Sequence, residues 1–127
     1  MIEKKISSDE YTAAILNNKV LPIIKIVPSN EFYDFDAKYK SDETKFLFPE
    51  MSPDMVSVIS DQVMKSFNAL GCKTWARVDF FISDNSVILL EINTIPGMTD
   101  HSLVPKAAKV YGLSYYQLVL EIMGIDA

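Results

Sequence analysis

The sequence predicts an α+β domain, a largely antiparallel sheet with helices packed on it. Three observations carry that expectation. Two pairs of stretches rich in Val, Ile and aromatic residues flank short Asn- and Asp-containing turns, the pattern of β-hairpins. Three further stretches repeat apolar residues at helical spacing and carry capping residues at their ends. The length, 127 residues of which 49% are hydrophobic, suits one domain with a core of its own.

Composition excludes several functions. A net charge of −5 without a Lys/Arg cluster argues against a nucleic-acid partner. The single Cys72 has no internal disulfide partner and suits a reducing, cytoplasmic setting. The first ten residues are charged where a signal peptide needs an apolar core, and no apolar run approaches the ~18–20 residues that span a bilayer.

From the N-terminus, Ile2 to Ile6 and Glu10 to Thr12 read by themselves as an exposed edge strand guarded by charges. Tyr11 to Asn17 reads as a strand, and Val20 to Val27 as its partner across a turn at Asn17-Asn18-Lys19. Pro22 places an edge or a bulge in that partner. Phe32 to Tyr39 opens with strand-like residues, and Lys40 to Pro49 reads as a polar surface loop. A helix follows from Ser52 to Leu70. Ser52 is its cap, Pro53 its first residue and Gly71 its terminator, with Val56, Ile59, Val63, Phe67 and Leu70 as the apolar stripe.

The second hairpin runs from Trp75 to Asn93. Trp75, Arg77, Asp79 and Phe81 share one face of its first arm; Val87, Leu89, Glu91 and Asn93 share one face of its second. The turn decides which faces coincide. A two-residue turn at Asp84-Asn85 pairs Asp79 with Leu90 and turns Glu91 away. A three-residue turn, Asp84-Asn85-Ser86, pairs Asp79 with Glu91 and Arg77 with Asn93. The three-residue turn is favoured because it gathers every polar group on one face. Two carboxylates then stand roughly 5 Å apart at Cβ and need a neutralising partner. Oxygen ligands of this kind suit a divalent cation such as Mg²⁺, and an Arg beside them suits a phosphoryl group in transfer. A solvent-facing charge ladder is the plainer alternative.

The segment Thr94 to Ser102 adds a turn whose Gly97 allows close approach to the backbone, and Ser102 stands at the N-cap of a helix from Leu103 to about Tyr111, ended by Gly112. Ser114 and Gln117 form a capping box for a last helix with Tyr115, Leu118, Val119 and Ile122 as its buried stripe and Gly124 as its end. His101, the only histidine, reads as a polar loop residue.

The run Ala76-Arg-Val-Asp-Phe-Phe81, the longer run Leu89 to Ala108 and the run Gly112 to Val119 closely resemble the C-terminal part of the D-alanine–D-alanine ligases, members of the ATP-grasp superfamily. The resemblance covers essentially residues 1–127 as a single C-terminal ATP-grasp subdomain, without the family's N-terminal and central subdomains. It implies ATP-dependent joining of two D-alanines through an acyl phosphate, for peptidoglycan precursors, in a cytoplasmic enzyme that is a homodimer at full length.

It also implies roles. The backbone of Glu3, Lys4, Lys5 and Ile6 would meet adenine, although the family usually has an aromatic residue at the position of Lys5. Glu10 would take the ribose hydroxyls and Lys38 the ATP phosphates. Tyr39 would begin the loop that closes over the site as a lid, and its identity points to D-alanine instead of D-lactate as second substrate. Asp79, Glu91 and Asn93 would hold two Mg²⁺ ions, with Mn²⁺ as a substitute. Arg77 would stabilise the phosphoryl group, the Gly97 N–H the oxyanion, and Ser102 with the Leu103 N–H the second D-alanine's carboxylate. One jaw of a two-jawed site is expected to be inactive alone. The competing expectation is a non-catalytic Mg²⁺/nucleotide-binding remnant.

Overall fold

The structure is a computed structural model, and it describes residues 9–28, 45–99 and 101–125. The expectations for Glu3, Lys4, Lys5, Ile6, Lys38 and Tyr39, and the strand-like opening at Phe32, lie outside the described residues. The elements follow one another as β1 (Asp9–Leu16), β2 (Lys19–Val20), β3 (Ile24–Val27), β4 (Lys45–Leu47), α1 (Pro53–Ala69), β5 (Trp75–Ser83), β6 (Ser86–Asn93), α2 (Leu103–Tyr111) and α3 (Tyr115–Met123). The strands form one sheet in the order β4-β3-β1-β5-β6, with β2 also on β1, and every pairing is antiparallel. The expected α+β class is what is found.

Each face of the sheet has its own core. Alternate residues Tyr11, Ala13 and Ile15 of β1 and Ala76, Val78 and Phe80 of β5 face α1, where Ile59, Val63 and Phe67 meet them. The aromatic rings of Tyr11 and Phe80 stack there with centroids 5.8 Å apart. On the opposite face, Ala14, Leu16, Leu21 and Ile24 pack against Leu103, Val104, Ala107 and Ala108 of α2 and Leu118 of α3. Trp75 and Met98 lie against this second core. The polar residues of interest continue along that second face, beyond the ground that α2 and α3 cover.

The structure corrects several local expectations. Lys45–Leu47, read as loop, is an edge strand on β3, pairing Ile26 with Phe46. Three residues are too few to show an alternating pattern, but Phe46 packs against the second core and repays the ordering. Lys19 belongs to β2 and pairs with Leu16, so the first turn is Asn17-Asn18 alone, both at positive φ (50° and 64°). In α1 only Ile59, Val63 and Phe67 of the expected stripe are buried, while Val56 and Leu70 are exposed. Of the α3 stripe only Leu118 is fully buried. Tyr115 is exposed and spends its hydroxyl on the carbonyl of Met98.

The caps explain where the helices start. Ser52 accepts the Met55 N–H at 3.1 Å, and Ser114 and Gln117 exchange the two bonds of the capping box. Ser102 occupies the N-cap position of α2 but makes no capping bond. Its hydroxyl instead accepts the Thr99 N–H at 3.0 Å and stands 2.8 Å from the Thr99 hydroxyl.

Candidate functional site

The second hairpin reaches the expected pairing by an unexpected route. Its turn is the two-residue Asp84-Asn85, with φ of 50° and 61°, and Ser83 pairs with Ser86. Asp and Asn tolerate the left-handed region that such a turn demands at both positions. From Ser83 to Phe80 the ladder runs regularly to Leu89. A bulge then intervenes, and Asp79 pairs with Glu91, Val78 with Ile92 and Arg77 with Asn93. Leu90 is the extra residue, half exposed at 48%. The expected three-residue turn is therefore absent, and the expected partners are present. A bulge shifts every residue beyond it by one and so exchanges faces.

The faces that meet carry six polar side chains from three strands. Thr12 of β1 lies directly opposite Asp79 on β5, and Glu10, two residues along β1, shares its face. Arg77 precedes Asp79 by two residues on the same face, and Glu91 and Asn93 face them from β6. Asp79 is 4% exposed, an unusual burial for a carboxylate. Its charge is met by Arg77, whose Nε donates to Oδ1 and whose second terminal nitrogen donates to Oδ2, both at 3.1 Å. The Thr12 hydroxyl donates to Oδ1 at 2.6 Å, with the Val78 carbonyl a longer 3.3 Å away.

Glu10 registers the crowding of negative charge. Its pKa is raised above the ordinary carboxylate value by burial first, then by the charges of Asp79 and Glu91, against a smaller opposing effect of Arg77. Three carboxylates on one patch with one guanidinium among them leave a surplus of negative charge. That surplus fits a divalent cation. The donors are hard oxygens, yet among the described residues no three His, Cys, Asp or Glu side chains are grouped to cage an ion by themselves. Two carboxylates and an amide suit Mg²⁺ only where phosphate oxygens or water complete its shell. Asn93 Oδ1 already accepts the Ile95 N–H at 3.0 Å, which fixes the direction of its side chain and leaves its second lone pair for another contact.

Gly97 and Ser102 are neighbours across the loop. A Cβ on Gly97 would come within 2.9 Å of the Ser102 hydroxyl, so a larger residue there would displace that hydroxyl from its contacts with Thr99. The loop is pinned by the Ser102 N–H to the Thr99 carbonyl at 3.0 Å and by Tyr115 to Met98. Leu103 buries its side chain in the second core at the first turn of α2. Glu10, Arg77, Asp79, Glu91 and Asn93 thus form one cluster, and Gly97, Ser102 and Leu103 a second along the loop that leaves Asn93.

Sequence reading passed over Thr12 and Tyr115. Thr12 had a signal: it is the one polar residue between Tyr11 and Leu16, two places from Glu10 and thus on its face. Tyr115 had none, because a tyrosine at helical spacing with Leu118 looks like core.

The family model described as D-ala D-ala ligase C-terminus matches residues 1–124. The D-alanine–D-alanine ligase of Ruthia magnifica subsp. Calyptogena magnifica is 47% identical over 97% of this chain and 43% of the relative. That of Haemophilus influenzae (strain PittEE) is 42% identical over 99% of this chain and 43% of the relative. Among solved structures, a D-alanine–D-alanine ligase from Bacillus anthracis superposes with a TM-score of 0.85 at 36% identity, over 96% of this chain and 40% of that one. The same organism's ligase complexed with ATP gives 0.82 at 32% identity, over 96% and 39%. The chain spans about two-fifths of the length of these relatives. Sequence motifs, fold and family model agree, and the chain belongs to the family of D-alanine–D-alanine ligase C-terminal domains, on an ATP-grasp fold.

Proposed function

We propose that residues 1–127 form the C-terminal, metal- and phosphate-binding jaw of an ATP-dependent ligase that joins two D-alanines for peptidoglycan precursor synthesis in the cytoplasm. The observation that carries the reading is the pairing of Asp79 with Glu91 and Arg77 with Asn93 on one polar face, in a family whose relatives bear the ligase name.

In this reading a carboxylate oxygen of the first D-alanine attacks the γ-phosphorus of ATP, and ADP leaves. The amine of the second D-alanine then attacks the acyl carbon, and phosphate leaves. Asp79, Glu91 and Asn93 would hold Mg²⁺, or Mn²⁺ in its place, and such an ion would supply positive charge against the charge that develops during phosphoryl transfer. Arg77, released from Asp79, offers its planar guanidinium to the phosphoryl group in transfer. Glu10 accepts from the ribose hydroxyls. The Gly97 N–H donates to the oxyanion of the tetrahedral carbon, and Ser102 with the Leu103 N–H takes the second substrate's carboxylate at the start of α2. The Ser102 hydroxyl is already turned toward Thr99, so it supports the loop as well as facing the substrate. Adenine binding by Glu3 to Ile6, phosphate binding by Lys38 and lid closure at Tyr39 complete the reading from the family resemblance.

Residues 1–127 would supply one jaw of such a site, and inactivity of this portion by itself is expected. The test is phosphate release from ATP with D-alanine and Mg²⁺, first with the chain alone and then with it joined to the N-terminal portion of a relative such as the Haemophilus influenzae ligase. Release only in the joined protein, with D-alanyl-D-alanine as product and no turnover on D-lactate, supports the reading. Turnover by the chain alone would show that the second jaw is dispensable. Silence in both, with Mg-ADP still bound, would favour a nucleotide-binding remnant.

A further inference from the structure

Asp79 is held by two different kinds of donor. Arg77 reaches it along a flexible side chain that is 22% exposed, and both of its bonds run through a guanidinium that the proposed chemistry needs elsewhere. Thr12 is 1% exposed and stands on β1, the strand flanked by β3 on one side and β5 on the other. A β-branched side chain in such a place has little rotamer freedom. Its hydroxyl has one proton, and the 2.6 Å contact to a carboxylate outcompetes the 3.3 Å contact to the Val78 carbonyl.

When Arg77 turns toward a phosphoryl group, Asp79 loses two of its three bonds, and the Thr12 bond to Oδ1 remains. A buried carboxylate with one fixed oxygen keeps its plane and presents the other, Oδ2, to whatever cation approaches from the side of Glu91. Without the hydroxyl, Asp79 would rotate and Oδ1 would be left buried with no fixed donor. We infer that Thr12 is a positioning residue, a hydroxyl that fixes Oδ1 of Asp79 so that Oδ2 is the oxygen offered to a divalent cation. The inference rests on the metal reading of Asp79, Glu91 and Asn93 given above. Groups that orient metal ligands from behind typically change affinity by about 10–100-fold when removed.

The experiment titrates Mn²⁺ into the ¹⁵N-labelled 127-residue chain and follows paramagnetic broadening residue by residue, a readout that registers weak binding and needs no turnover. Broadening centred on Asp79, Glu91 and Asn93, and its loss in Asp79→Asn, are expected for the unaltered site. Thr12→Val should then need at least about tenfold more Mn²⁺ for the same broadening, and Thr12→Ser, which keeps the hydroxyl, should match the parent. The amides of Val78 and Phe80 report packing, and a role in packing alone would move them without moving the Mn²⁺ midpoint. Should Thr12→Val not fold, Thr12→Cys, similar in size and a poor donor, is held to the same tenfold shift. A variant without the hydroxyl that binds Mn²⁺ like the parent overturns the inference and leaves the metal reading standing. No localised broadening in the parent overturns both.

Discussion

In the first hairpin β1 turns through Asn17 and Asn18 into β2; in the second β5 turns through Asp84 and Asn85 into β6. All four turn residues have positive φ, between 50° and 64°. In each hairpin the return strand then carries one residue too many. The first pairs Ile15 with Val20 but Thr12 with Ile24, and the second pairs Phe80 with Leu89 but Asp79 with Glu91. The shift moves the residues beyond it to the second face of the sheet. In the first hairpin these are Ile24 and Ile26, which pack in or against the second core. In the second they are Glu91 and Asn93, which meet Asp79 and Arg77. One backbone device thus serves packing in one hairpin and chemistry in the other, and only the residues downstream differ. Bulges beside active sites re-aim side chains in this way.

The largest expected effect separates the frame from the site. Phe80→Ala removes a fully buried ring stacked on Tyr11 at the last regular rung before the bulge. It should lower stability by about 3–5 kcal/mol in urea titration. Its cross-strand partner Leu89 is 42% exposed, and Leu89→Ala should lower it by about 1 kcal/mol. Similar losses at the two positions would break the picture of a core centred on β1 and β5 beneath α1, with β6 at its margin.

The turns come next. Asn18→Val and Asn85→Val each force a β-branched residue into the left-handed region, so each should lose about 1–2 kcal/mol. Equal losses in thermal melts are expected from the shared device. A loss confined to the first hairpin would mean that the second tolerates a longer turn.

Smaller still is the effect of deleting Leu90. The remaining strand can pair Leu89 with Phe80 and Glu91 with Asp79 without a bulge, so stability should change by less than about 1 kcal/mol. A deletion in mid-strand ordinarily flips the side chains that follow it. Here it should keep Glu91 on the face of Asp79, and loss of Mn²⁺ broadening at Glu91 in the variant would contradict this.

The smallest effect is electrostatic and depends on pH. Glu10 has a folded pKa raised above the ordinary 4.5, so the stability linked to its protonation is present below that value and lost as pH rises through the folded one. Glu10→Gln should raise the melting temperature slightly at pH 7, and the gain should vanish as pH falls toward 4. A gain that persists at low pH would point to packing instead of charge.

Much of the molecule was legible in the chain, for physical reasons that also explain what was not. α1 and α3 announced themselves because Ser52, Pro53, Ser114 and Gln117 are chemically suited to helix starts. The alignment of Asp79 with Glu91 is legible because gathering polar groups on one face is a strong constraint, but the means, a bulge instead of a longer turn, is not. Turn length alone does not fix the pairing, and Leu90 among Val87, Ile88 and Leu89 carries no mark of a bulge. Ser102 was legible as a position and not as a bond: the nearby Thr99 N–H competes for its hydroxyl. Thr12 was hidden because a donor's value depends on what lies opposite, and the β1–β5 register is a tertiary fact.

The most direct measurement is a NOESY spectrum of the chain that reads the rungs of the second hairpin. Contacts pairing Phe80 with Leu89 and, in the same molecule, Asp79 with Glu91 are predicted. Contacts of Phe80 with Leu90 would restore the three-residue turn, and contacts of Asp79 with Leu90 would remove the bulge. The latter result would send Glu91 to the α1 face and contradict the account of the site.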